Sequence, residues 1–362
     1  MAPALRQPRE RLYSTAAPSP TKFSYHIAAS FIAKDRSYDP SHHVYHFNPY
    51  NRPLDKRAPR IDSGHDAFFV SRVDDSGAVA FGVADGVGGW VDSGVDPADF
   101  SHGLCEYMAQ AARAFKPDDP RRRLGSRQLM QQGYDAISRD RSVRAGGSTA
   151  CAAVADPDGT LDVANLGDSG FLQLRLNAVH AYSEPQTHDF NTPFQLSIIP
   201  PSVAARMATY GGTQLCDLPR DADLTQLDLR HGDVLLFATD GVLDNLFNQD
   251  ILRIASRVMT SSGAWTISES SGGVRVADAL RDLTEPVANR DGKPITLQSM
   301  LATQLVGAAK KASVNTRVDG PFAKEVQKYY PHENWRGGKV DDICVVAAVV
   351  TEEACSPPKS RL

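Results

Sequence analysis

The stretch Ala80-Phe-Gly-Val-Ala-Asp85-Gly86-Val-Gly-Gly-Trp90 decides how the rest of the chain must fold. Its apolar run up to Ala84 stops abruptly at an acid followed by three glycines among the next four residues, which predicts a buried strand that delivers Asp85 at its end. Val234-Leu-Leu-Phe-Ala-Thr-Asp240-Gly241-Val242-Leu-Asp244 repeats the arrangement far along the chain. Two carboxylates, each held at the tip of a rigid apolar element, suggest one divalent-cation site assembled from distant segments. Strands from both ends of the chain then have to share one sheet system, so a single domain is expected despite a length that would allow two.

Working outward, Asp66-Ala-Phe-Phe-Val-Ser-Arg-Val73 and Ala78 to Ala84 flank the turn signal Asp74-Asp-Ser-Gly77 and read as a hairpin. In an antiparallel pair the start of one strand faces the end of the next, which sets Asp66 beside Asp85. Asp96-Pro-Ala-Asp-Phe opens a helix with an N-cap and an early proline, and a second helix is predicted over Leu129 to Ile137. Three alternating stretches between Gly146 and Leu176 read as an antiparallel meander, with Asp168 in the turn between two of them. Ser183-Glu-Pro-Gln-Thr-His through Leu196 is a long polar connection and a candidate flap. Helical spacing recurs over residues 249–259, 274–285 and 296–313, while Ser261 to Gly273 reads as a flexible Ser/Gly-rich insertion. Finally Asp341-Asp342 precedes the wholly apolar run Ile343 to Val350, a central strand that begins, instead of ending, at an acid.

Composition narrows the partners. In 362 residues, 39 Lys and Arg stand against 43 Asp and Glu, a net charge of −4 that offers no general attraction to nucleic acid or anionic lipid. No apolar run approaches the length of a bilayer span, so a soluble protein without membrane insertion is expected. Five dispersed cysteines without a C-x-x-C pair fit reduced buried thiols better than disulfides or zinc. The first twenty residues are rich in Arg, Ser and Ala with one acid, Glu10, the composition of an organelle transit peptide. The domain expectation is therefore a leader or disordered N-terminus over 1–34, a catalytic domain over 35–352 and a polar tail over 353–362. A mitochondrial location follows from the leader; without one the chain would be cytoplasmic.

Many Asp with few His and no paired Cys favour hard cations, Mg²⁺ or Mn²⁺, over zinc. Converging carboxylates at apolar strand ends repel one another, so their convergence makes sense mainly with cations between them. Two ions about 3.5–4 Å apart, bridged by one Asp and a water, would aim a hydroxide at phosphorus, which implies phosphoester hydrolysis. Structural turn acids or a Ca²⁺ site are the competing readings, but no twelve-residue calcium-loop spacing is present.

Taken together, Gly64-His65-Asp66-Ala67, Ala84-Asp85-Gly86-Val-Gly-Gly89, Gly147-Ser-Thr-Ala150, Asn165-Leu-Gly-Asp-Ser169, Ala238-Thr-Asp-Gly-Val-Leu-Asp244 and Gly338-Lys-Val-Asp-Asp342 resemble, in order, the motifs of the metal-dependent type 2C serine/threonine protein phosphatases. The likeness spans about residues 60–350, and Ser183-Glu-Pro-Gln-Thr-His with Asn191-Thr-Pro-Phe-Gln-Leu196 is similar to the mitochondrial and plastid branch. The resemblance implies an α+β fold, a four-layer αββα sandwich of two antiparallel sheets flanked by helices. It implies Asp85 bridging two Mg²⁺ or Mn²⁺ ions, the Gly86 carbonyl on one of them, Asp240 and Asp341 on the second, and Asp66 acting through waters. Asp85 and Asp240 would be catalytic through the bridging water, and Asp168 and Asp244 match a weaker third-metal position. Substrates would be phosphoserine and phosphothreonine proteins, and a monomer is expected.

Three positions depart from the pattern. Val87 stands where many members carry a His that protonates the leaving group, which leaves His188 as a substitute candidate. His65 stands where a second acid is common. Arg60 is the nearest match to the phosphate-binding arginine, though out of step. The alternatives are a catalytically weak pseudophosphatase acting as a binding module and a dimetal hydrolase of small phosphoesters; the intact acids Asp85, Asp240 and Asp341 speak against the first.

Overall fold

A computed structural model describes residues 22–48, 60–119, 122–209, 216–268, 272–289 and 291–353. Eleven strands build its two large sheets. In chain order they are β1 (Lys22–Ile32), β2 (Val44–His46), β3 (Asp66–Arg72), β4 (Val79–Asp85), β5 (Ala150–Ala155) and β6 (Thr160–Leu166). Then come β7 (Gly170–Arg175), β8 (Ala178–Tyr182), β9 (Asp223–Asp228), β10 (Val234–Ala238) and β11 (Ile343–Glu353). The helices are α1 (Pro97–Ala114), α2 (Ser126–Ile137), α3 (Pro201–Thr209), α4 (Asp240–Leu243), α5 (Asn248–Ser261), α6 (Leu280–Thr284), α7 (Leu297–Ser313) and α8 (Pro321–Tyr329). One sheet runs β2-β1-β11-β10-β7-β8, the other β9-β6-β5-β4-β3, and their ladders are antiparallel throughout.

Period-two alternation sorts the side chains into layers. Along β11, Cys344, Val346, Ala348 and Val350 enter the core between the sheets with Phe81 of β4, Phe171 of β7 and Phe237 of β10. The alternate residues Ile343, Val345, Ala347 and Val349 face the opposite way, into a second core with α5 and α7. On the other sheet Ala80, Ala84, Ala152 and Val154 pack beneath α1 and α2, against Phe100, Leu104, Leu129 and Met130. The result is helix, sheet, sheet, helix, an αββα sandwich whose outer sheet faces are packed under helices except at the exposed edge strands β8 and β9. Phe81 meets Phe237 edge to face at 5.0 Å between ring centroids, a favoured aromatic geometry at the centre of the sandwich.

Local chemistry sets the helix starts. The Asp96 carboxylate accepts a hydrogen bond from the Ala98 N–H at 3.0 Å and Pro97 occupies the first turn, as the sequence predicts. Thr296 and Ser299 cap α7 reciprocally, at 3.1 and 2.9 Å.

The structure corrects several expectations. Residues 22–32, placed within the leader segment, are the strand β1, paired along its whole length with β11; Phe23, Tyr25, Ile27, Ala29 and Phe31 alternate into the inter-sheet core. The leader reading for residues 1–21 lies outside the described residues. At the other end β11 runs one residue past the expected boundary, to Glu353, and the rest of the tail is not described. The insertion over 261–273 contains Trp265, fully buried in the core with α5 and α7, in a strand paired with Val274–Val276. The helix expected over 274–285 shrinks to α6 because its first residues join that pairing. Helices α3 and α8 and the exposed strand β9 were not expected. Among the described residues Cys105, Cys151 and Cys344 are buried free thiols, while Cys216 is exposed where a buried thiol was expected.

Candidate metal centre

Antiparallel pairing brings the acids to one end of the sandwich. Asp66 opens β3 directly opposite Asp85, which closes β4. Ala238, the last residue of β10, pairs with Val345 near the start of β11 and with Gly170 at the start of β7. Asp240, Asp341 and Asp168 therefore project from the same sheet end, and α4 sets Asp244 one helical turn after Asp240, the Asp244 N–H donating to the Asp240 carbonyl at 2.7 Å.

Neighbouring motif residues fix this arrangement. Thr149 accepts the Asp85 N–H at 3.1 Å through its hydroxyl, returns its own N–H to the Asp85 carbonyl at 2.9 Å, and joins Ser169 at 2.8 Å, so the motifs around Thr149 and Asp168 brace Asp85. Thr239 donates to Asp66 Oδ2 at 2.7 Å and accepts the Cys344 N–H at 3.0 Å, tying β10 to β3 and β11. Asp342 accepts N–H groups from Lys34 at 2.7 Å and His65 at 2.8 Å, which holds the turn into Asp66. The glycine directly after Asp85 is needed for closeness: a Cβ on Gly86 would lie 2.7 Å from the Pro97 carbonyl oxygen.

The electrostatics are those of crowded, dehydrated carboxylates. Burial first, then the charge of Asp342, raises Asp66; burial and Asp240 raise Asp85; burial with Asp240 and Asp244 raises Asp168. Asp244 is pushed up to about 7, chiefly by burial, with Lys339 opposing, and Asp341 is also raised by burial. Asp240 goes the other way: burial is the largest single influence and works to raise it, but the charge and hydrogen bond of Lys339, together with hydrogen bonding to Asp85 and Asp244, hold it below the usual carboxylate range. Lys339 Nζ stands 2.6 Å from Asp240, 2.7 Å from Asp244 and 3.2 Å from Asp341.

Among the described residues no group of three or more His, Cys, Asp or Glu side chains is already set to hold a metal ion. The donor chemistry nonetheless fits one. Asp66 Oδ1 and Asp240 Oδ1 are buried oxygens without a hydrogen-bond partner, a costly state for carboxylates that a hard cation would relieve.

Two predicted residues stand apart from this cluster in their contacts. Arg60 pairs with Asp96 at 2.9 Å and with Asp99 at the start of α1. His188 bonds Asp217 at 2.9 Å and stacks on Phe194 with ring centroids 4.2 Å apart. The polar connection forms a hairpin, Thr187–Asp189 with Thr192–Pro193, whose Phe190 packs against Phe322, Tyr329 and Tyr330 of the α8 region. Between it and Val87, Gly89 and Trp90 lies a cleft of ≈ 420 Å³. Sequence reasoning missed Lys339, Thr239 and the brace role of Asp342. For Lys339 a signal existed: a cation between a Gly-Gly pair and two acids in a motif otherwise made of acids.

Residues 61–283 match the family model described as Protein phosphatase 2C. The chain is 34 % identical over 293 residues to the Homo sapiens protein phosphatase PTC7 homolog, covering 80 % of each chain. It is 30 % identical over 329 residues to the Saccharomyces cerevisiae mitochondrial protein phosphatase 2C homolog 7, covering 91 % of this chain and 83 % of that one. Among solved structures, the photosystem II phosphatase PBCP superposes with a TM-score of 0.55 at 25 % identity, over 79 % of this chain and 91 % of that one. Sequence and fold agree, and the chain belongs to the protein phosphatase 2C family of protein phosphatases.

Proposed function

We propose that this protein phosphatase hydrolyses phosphoserine and phosphothreonine in proteins with two Mg²⁺ or Mn²⁺ ions held by the carboxylates at the open end of the sandwich. The observation that carries the reading is the gathering of Asp66, Asp85, Asp168, Asp240, Asp244 and Asp341 there, with buried carboxylate oxygens left unpartnered. Asp85 would touch both ions, the Gly86 carbonyl would join one, and Asp240 and Asp341 would hold the second. Asp66 would act through intervening waters, and Asp168 and Asp244 would line a third position. When bound, the ions supply a water of lowered pKa and polarise the phosphoryl oxygens.

The chain's own residues do the rest. Thr149 and Thr239 lock Asp85 and Asp66 in place, so little reorganisation is needed when substrate arrives. The hydrocarbon side chain of Val87 has no ionisable proton to give, so leaving-group protonation falls to another group, with His188 on the flap the candidate that the sequence offers. Its bond to Asp217 ties that imidazole to the flap's own base. Arg60, held by Asp96 and Asp99, would meet phosphate only by exchanging those partners.

The name of the yeast relative supports a mitochondrial location. Among the described residues no helix is long and apolar enough to cross a membrane, and we take the chain as a monomer acting on phosphoproteins. Phosphopeptide hydrolysis measured in Mn²⁺ and in EDTA tests the reading. Turnover in Mn²⁺ that EDTA abolishes is expected, and Asp85→Asn should lower it by at least about a hundredfold, since such ions contribute several kcal/mol to the transition state. Equal turnover in EDTA, or nucleotide hydrolysis that outruns phosphopeptide hydrolysis, would reject it.

A further inference from the structure

Lys339 belongs to none of the roles above, yet its ammonium stands inside the acid cluster. Its side chain is only 15 % exposed and contacts one oxygen each of Asp240, Asp244 and Asp341, one partner for each of its three protons. Its backbone is anchored to the helix that carries two of those acids. The Lys339 N–H donates to Asn245 Oδ1 at 2.9 Å, and Asn245 Nδ2 donates to the Lys339 carbonyl at 2.8 Å and to the Gly241 carbonyl at 2.9 Å. Phe322 covers the ammonium, 5.0 Å from its ring centroid.

We propose that the Lys339 ammonium is a built-in substitute for a third divalent ion, so that two divalent ions, not three, complete this chain's site. The inference rests on the two-ion reading above. The acids divide their oxygens accordingly. Asp240 gives Oδ2 to the lysine and keeps Oδ1 buried and free for a divalent ion. Asp341 gives Oδ2 to the lysine, and its Oδ1, which accepts the Asp342 N–H at 3.0 Å, keeps a second lone pair for the divalent ion. Asp244, the residue that the family resemblance puts at the third position, gives its Oδ2 to the lysine at 2.7 Å. Six carboxylates also carry more negative charge than two divalent ions balance, and a tethered ammonium takes up part of the excess. Without it Asp240 Oδ2 would be buried and unpaired and the partly exposed Asp244 would lose the cation it contacts, leaving charge that another cation can balance.

Isothermal titration of the full chain with Mn²⁺ decides the matter, with folding checked by circular dichroism. Wild type is expected to bind two Mn²⁺, Lys339→Met three, and Lys339→Met with Asp244→Asn two again. Lys339→Gln serves as the second variant if the methionine does not fold. Three ions in wild type, or an unchanged count in the lysine variants, would overturn the substitution while leaving the two-ion site standing. No uptake by wild type would instead overturn the two-ion reading beneath it.

Discussion

Asp240 and Asp244 lie one helical turn apart, yet their surroundings drive their protonation in opposite directions. This has a measurable sign. Asp66, Asp85, Asp168, Asp244 and Asp341 all have folded values raised above the ordinary 3.8. The stability they contribute is therefore fully present below the unfolded value and is lost as pH climbs through their folded values, about 7 for Asp244. Asp240 is depressed, so its contribution is present above the unfolded value and disappears as pH falls through its folded one. Five groups outweigh one. In EDTA the melting temperature should fall by several degrees between about pH 5 and pH 8, less in Asp244→Asn, and Mn²⁺ should suppress the fall. A metal-free melting temperature that stays flat or rises over that interval would contradict this picture of the cluster. At this scale the sequence was readable where a turn dictated geometry: the Asp74–Gly77 turn placed Asp66 opposite Asp85, as found. For Lys339 the signal, a cation between a Gly-Gly pair and two acids, marked the residue but not its role, because a lysine beside two acids is ordinarily a solvated ion pair and nothing local shows that the strand end will bury it.

Elements carried their information unevenly. Strands buried on both faces, such as β10 and β11, announce themselves as apolar runs, and the Asp96 cap announces α1. β1 carries a plain alternation at Phe23, Tyr25, Ile27, Ala29 and Phe31, but it directly follows a basic stretch whose composition is that of a leader, so the two signals overlap. Likewise Trp265 lies in a Ser/Gly-rich setting whose composition says loop, while burial against α5 and α7 decides otherwise. Close packing between elements offers its own check. A Cβ on Gly241, in the short helix α4, would fall 1.8 Å from the Asp342 carbonyl oxygen, whereas one on Gly89 would meet nothing within 4 Å. Gly241→Ala is expected to destabilise by about 1–3 kcal/mol and to weaken Mn²⁺ uptake, because α4 must move off the segment in which Asp341 and Asp342 lead into β11. Gly89→Ala should melt like wild type. Equal melting of the two variants would show that α4 and β11 are not packed this closely.

At the scale of the molecule, the chain closes on itself: β1 from the first described residues pairs with β11 from the last, and β11 also pairs with β10. The pairing is long-range and cannot be read from any window of sequence. What foretold it was functional logic, since acids at residues 66, 85, 240 and 341 could serve one site only if their strands met at one end. If the leader reading is right, a fusion of residues 1–21 to a fluorescent reporter should enter mitochondria, and a reporter that stays cytosolic would reject it. The four-layer architecture serves the site by burying strand bodies while leaving one end open, where carboxylates can be held apart from water yet reached by a phosphoprotein. The most direct measurement is therefore anomalous scattering from crystals soaked in Mn²⁺. The account predicts two peaks at the open end of the sandwich, both in contact with Asp85 and one also with Asp240 and Asp341. Peaks elsewhere, or a cluster that takes up no manganese while the crystal diffracts well, would contradict it.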